Sequence, residues 1–110
     1  VNREEMLHRM TKYCGDAISV VARKNHDYAS ENNPFSNFEL AGYITQFFAQ
    51  RDVPPEVLSF VQLIGTKLAR LAELQYKTPM NEGVADTFMD LINYVNLWHA
   101  WWETQEEKNG

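Results

Sequence analysis

The chain has 110 residues, 45% apolar and 23% charged, which predicts one soluble domain, residues 1–110, with a modest core. Its formal net charge of −5 argues against direct nucleic-acid binding, which calls for a basic face, yet is compatible with a nucleotide whose charge a divalent ion offsets. No apolar run reaches the ~18 residues of a membrane span, and a single cysteine excludes a disulfide framework and a thiolate metal site, so a cytoplasmic location is expected.

Val1-Asn2-Arg3-Glu4-Glu5 does not read as a signal peptide, and because Val1 is not a natural start a trimmed beginning is expected. Helical periodicity then predicts a first helix over Asn2 to Lys24, with Met6, Met10, Tyr13, Cys14, Ala17 and Val21 on its inner face. Lys24-Asn25-His26-Asp27-Tyr28 closes it; Lys and His suit a helix C-terminus, and an acid beside an aromatic suits a ribose and a base. Asn32-Asn33-Pro34 marks a loop. Ser36 followed by Glu39 has capping-box spacing, which predicts a second helix over Asn37 to Gln50 with core aromatics Phe38, Tyr43, Phe47 and Phe48.

Asp52-Val53-Pro54-Pro55 breaks the chain again, and a third helix is predicted from Pro55 to about Gln75. Val57, Phe60, Val61, Ile64, Leu68 and Leu71 form its apolar stripe, with Lys67 and Arg70 beside it. Thr78-Pro79 has the form of an N-cap followed by proline at the first helical position, which predicts a last helix reaching roughly Glu103. Its apolar face carries Val84, Phe88, Leu91, Val95, Trp98 and Trp102. Together these elements predict an all-α, four-helix bundle, with allowance for a short fifth helix. The three tryptophans 98, 101 and 102 exceed what one core needs and point to a subunit interface, ahead of a base-stacking platform; His26 reads as structural, and His8 and His99, without metal-ligand spacing, as ordinary.

On that last helix Glu82, Asp86, Asp90 and Asn93 fall within an arc of roughly 80°. No lysine or arginine lies between Lys77 and Lys108, so the stripe takes its cation from a metal ion, from a basic side chain of a neighbouring helix or, on a simply solvated face, from counterions. Two carboxylates one turn apart suit Mg²⁺, which takes oxygen ligands. Lys67 and Arg70 suit phosphate, or alternatively an ion pair with the stripe itself.

Four ordered motifs carry a resemblance. They are Lys24-x-x-Asp27-Tyr28-Ala29, Asn33-Pro34-Phe35-x-Asn37-Phe38, Lys67-x-x-Arg70-Leu71, and Glu82-x-x-x-Asp86-Thr87-x-x-Asp90-Leu91-x-Asn93-Tyr94. From about Lys24 to Trp98 the chain resembles small phage and prophage proteins of the nucleotide-modification-associated all-α group. More distantly, the last block is similar to all-α nucleoside triphosphate pyrophosphohydrolases, the MazG and dimeric dUTPase class. The resemblance implies a MazG-like bundle in the host cytoplasm, a homodimer or homotetramer, and Mg²⁺- or Mn²⁺-dependent release of pyrophosphate from (d)NTPs. It implies that Glu82 and Asp86 hold the metal and Asp90 orients the attacking water. Lys67 and Arg70 would neutralise phosphate charge, with Lys24, Asp27, Tyr28 and Asn93 on the rest of the substrate.

The chain departs from that class in two places. Glu82 stands four residues before Asp86 where three is usual, and Lys67 and Arg70 occupy the place of a Glu-x-x-Glu pair. Asp27 or Glu39 would then have to complete the metal cage. The departure favours an alternative, a non-catalytic phage accessory that binds a nucleotide or a host protein, with Lys67 and Arg70 paired to Asp86 and Asp90. A third expectation is a structural bundle that self-assembles through its tryptophan-rich end.

Overall fold

The computed structural model covers Val1–Gly110 and is all-α. Helix α1 spans Arg3–Tyr28, α2 Ser36–Ala49, α3 Pro55–Glu73 and α4 Val84–Asn109. There is no sheet, only an isolated bridge between Ser30 and Asn33 in the α1–α2 loop. No helix is long and apolar enough to cross a membrane.

Local chemistry explains most boundaries. Asn2 caps α1, its Oδ1 accepting from the Glu5 N–H at 2.8 Å, and Glu4 and Glu5 complement the helix dipole. The helix then runs one turn past the predicted Lys24, because Lys77 donates to the His26 and Ala29 carbonyls at 2.6 and 2.8 Å and satisfies its last turn. Asp52, at φ 54°, takes the left-handed turn out of α2, and Pro55 opens α3.

Two predicted caps are replaced by other contacts. Ser36 does not cap α2 in the box form: its Oγ accepts from the Ser30 N–H at 3.1 Å, and Glu39 accepts from the Asn33 amide at 2.9 Å. Thr78-Pro79 does not start α4 either. The helix begins after Gly83, because buried side chains take up the backbone groups of residues 80–83. Glu82 therefore lies off the helix, and the four-residue stripe predicted there reduces to Asp86, Asp90 and Asn93.

Helix α3 is central and packs against each of the others. Its buried face is Val57, Val61, Gly65 and Ala69, one residue every four. This ridge of small side chains lets α2 approach closely: a Cβ on Gly65 would stand 3.1 Å from the Ala41 Cα. At the far end Phe60 stacks on Trp98 with centroids 6.1 Å apart, and Phe48 and Trp101 join edge-on or tilted. Trp98 and Trp101 thus belong to a cluster within one chain, and only Trp102 is half exposed.

The core is small. Ten of 110 residues are buried, and four of the ten are polar or charged. The predicted inner face of α1 meets nothing in this chain, since every residue from Val1 to Lys24 is exposed. Of the predicted α2 core, Phe38, Tyr43 and Phe47 are also exposed, and the buried positions are Asn37 and Ala41. The radius of gyration is 18.3 Å, where a compact chain of this length would have about 13 Å.

Candidate functional site

At the junction of α1, α3 and the α3–α4 connector, Asp27 and Arg70 form an ion pair at 2.8 Å with neither side chain exposed. Asp27 comes from the last turn of α1 and Arg70 from the last turn of α3. Asp27 also accepts from the backbone N–H groups of Met80 and Asn81, at 2.7 and 3.0 Å, and meets the His26 ring at 3.0 Å. Arg70 donates to Thr87 and to the carbonyls of Glu82 and Gly83. Burial alone would push the Asp27 carboxyl up. Arg70, His26 and the two backbone donors outweigh burial and hold it well below the usual carboxylate range.

Beside this pair, Lys67 donates to the Tyr28 hydroxyl at 2.6 Å and lies 3.0 Å from Asp90. Burial would lower the Lys67 pKa, but those two oxygens outweigh it and raise it. Tyr28 also has the Lys67 and Arg70 cations 5.3 and 5.5 Å from its ring centre.

Tyr28 also borders a cavity of about 350 Å³ between α1, α2 and α3, lined by Lys24, Asn25, Asn37, Phe38, Thr66 and Val21 as well. That volume lies within the ~300–1,000 Å³ range of small-molecule sites. Asn37 is 7% exposed, and its buried Oδ1 has no hydrogen-bond partner. Most buried side-chain acceptors are paired, and an unpaired one costs roughly 1–3 kcal/mol. Lys24 is exposed at the rim and Phe38 presents its ring at 65% exposure.

The structure thus brings Lys24 and Tyr28 to one cavity, with Lys67 directly behind the phenol. Asp27 and Arg70 lie inside the protein and hold each other, so neither presents a surface to a phosphate or a ribose. Asp90 is engaged by Lys67, whereas Arg70 does not reach the stripe as the alternative expectation required. Glu82 and Asp86 are exposed without a basic partner, and Asn93 is exposed on α4. Asp86 sits in the first turn of α4, where the helix dipole favours a carboxylate.

No group of three or more His, Cys, Asp or Glu side chains converges to hold a metal ion within one chain. Asp27 is committed to Arg70 and Glu39 to Asn33, so neither completes a cage with Glu82 and Asp86. Glu82 and Asp86 are unpaired, but Glu82 lies outside α4, so the one-turn spacing that suggested a shared ion is not present.

Sequence reasoning missed Asn37 and Thr66. Asn37 stood in a quoted motif, but its burial without a partner has no sequence signal. Thr66 looked like any polar residue flanking a helical stripe. Comparisons with protein-family models, curated proteins and solved structures return no match.

Proposed function

We propose that the chain binds a nucleotide in the cavity between α1, α2 and α3. The observation that carries this reading is Asn37, which lines the cavity and whose buried Oδ1 lacks a donor. Rotation of the Asn37 amide would bring that acceptor to the amino group of a nucleobase. Phe38 and Tyr28 offer aromatic surface for the base, and Lys24 offers a point charge for the phosphates. Asp27 and Arg70 position Tyr28 and the connector rather than touching the ligand.

Isothermal titration with a panel of nucleotides tests this reading. Micromolar binding is expected for nucleotides carrying an amino-substituted base, weakened by Lys24→Ala and by Asn37→Leu. No heat with any nucleotide, or affinities unchanged in both variants, would overturn it.

A second reading, Mg²⁺-dependent release of pyrophosphate from a dNTP, rests on one observation: Glu82 and Asp86 remain unpaired while Asp27, Glu39 and Asp90 are engaged. These two would hold the ion, which would offset phosphate charge and activate the attacking water. Asp90 is tied to Lys67 and would steer that charge rather than move a proton. A pyrophosphate-release assay over (d)NTPs and modified dNTPs with Mg²⁺ or Mn²⁺ separates the two readings. Turnover lost in Asp86→Asn supports hydrolysis, and tight binding without turnover supports binding alone.

A further inference from the structure

We infer that α1 of one chain docks on the C-terminal half of α4 in a second copy of the same chain. This goes beyond the nucleotide reading and does not depend on it.

The first argument is area. The chain exposes 8214 Å² of surface at 12.8 kDa, about 1,900 Å² more than a compact monomer of that mass would. An obligate homodimer hides about 1,000–2,500 Å² on each subunit. The excess is the size of one subunit's share of such an interface.

The second argument is pattern. Met6, Met10, Tyr13, Ala17 and Val20 recur along α1 at alternating spacings of four and three, and all are exposed. That is the seam of a coiled-coil helix, which requires a partner helix. On α4, a groove of about 400 Å³ is lined by Val95, Trp98, His99, Trp102, Glu103 and Glu106. The Nε1–H of Trp98, one of these residues, is buried without an acceptor.

The third argument is charge, and it selects the partner. Helix α1 carries five lysines and arginines against three exposed acids, Glu4, Glu5 and Asp16. The C-terminal half of α4 carries three acids, Glu103, Glu106 and Glu107, against Lys108 alone. Pairing α4 with α4 sets like charges together, and pairing α1 with α1 leaves the acidic groove uncovered. Pairing α1 with α4 neutralises both, and two-fold symmetry makes the contact twice.

Sedimentation of the purified chain at tens of micromolar, with a charge-swap pair, tests the inference. The unmodified chain is expected to be at least dimeric. Arg9→Glu/Lys12→Glu and Glu103→Lys/Glu106→Lys should each dissociate about tenfold or more readily, with helicity by circular dichroism unchanged. An equimolar mixture of the two should re-associate, since each α1 then meets an α4 of opposite sign. A monomeric unmodified chain, which would mean that another protein or nothing covers α1, overturns the inference. So do an oligomer indifferent to either variant, loss in the α1 variant alone, and variants that fail to rescue each other. If either double variant loses helicity, Met10→Asp and Val95→Asp replace it; both must dissociate the oligomer, and survival of either assembly overturns the inference.

Discussion

The Lys67 ammonium and the Tyr28 hydroxyl meet at 2.6 Å across 39 positions of sequence. The same ammonium reaches Asp90 at 3.0 Å. One cation therefore connects the wall of the cavity to the acidic side of α4.

Removing the hydroxyl tests how firmly that wall is held. Tyr28→Phe keeps the ring and leaves Lys67 with Asp90 alone. Stability should fall by about 0.5–1.5 kcal/mol, the ordinary net worth of one hydrogen bond. Urea unfolding of both proteins checks this, and an unchanged midpoint would show that the contact contributes nothing.

The Asp27–Arg70 pair should behave quite differently, because neither side chain is exposed. Breaking a buried pair leaves an unmatched charge and costs about 3–5 kcal/mol. Arg70→Met and Asp27→Asn should each approach that loss, since Asp27 also anchors Met80 and Asn81 and Arg70 anchors Thr87. The double variant should lose clearly less than the two single losses added, as coupled residues do. Additive losses in chemical denaturation would contradict the pairing.

Acid should expose the same pair. Asp27 titrates lower in the folded chain than in the unfolded one. Between those two values the unfolded chain binds more protons, so stability falls as pH falls. The contribution is complete above the unfolded value of about 3.9 and is lost as pH drops from there through the folded one. Asp27→Asn removes this component, so its stability should depend less on pH below about 4. Parallel pH profiles for the two proteins would contradict the assignment.

Two glycines should respond in opposite directions. Gly15 lies on the exposed part of α1 with open space around it, and Gly15→Ala should stabilise the helix by about 0.5–1 kcal/mol. Gly65 faces the Ala41 backbone, and Gly65→Val should cost about 1–3 kcal/mol through overpacking. Thermal unfolding reads both signs, and a stabilised Gly65→Val would show that α2 and α3 are not in close contact.

The all-α fold was legible because helical periodicity and two proline breaks are local signals, and Asn2 and Pro55 stand close to where the helices begin. The start of α4 was not. Thr78-Pro79 is a sound local cap, but Asp27 lies about fifty residues away and takes the backbone donors of Met80 and Asn81. A contact between side chains so distant in sequence leaves no periodic trace. The same reason hid the partner of Arg70, expected on the acidic stripe and found on α1. The apolar stripe of α1 was expected as an inner face and is exposed instead, because a stripe alone does not say what it packs against. For the site, Lys24 and Tyr28 were visible as a charge and an aromatic beside a loop. The orphaned acceptor of Asn37 required three helices to be assembled first.

The most direct measurement is a nitrogen–proton correlation spectrum of the isotope-labelled chain, titrated with an amino-substituted nucleotide. The Asn37 side-chain amide should shift in a saturable manner, together with the backbone resonances of Lys24 and Thr66. Saturable shifts confined to α4, or none at millimolar nucleotide, would contradict a ligand site between α1, α2 and α3.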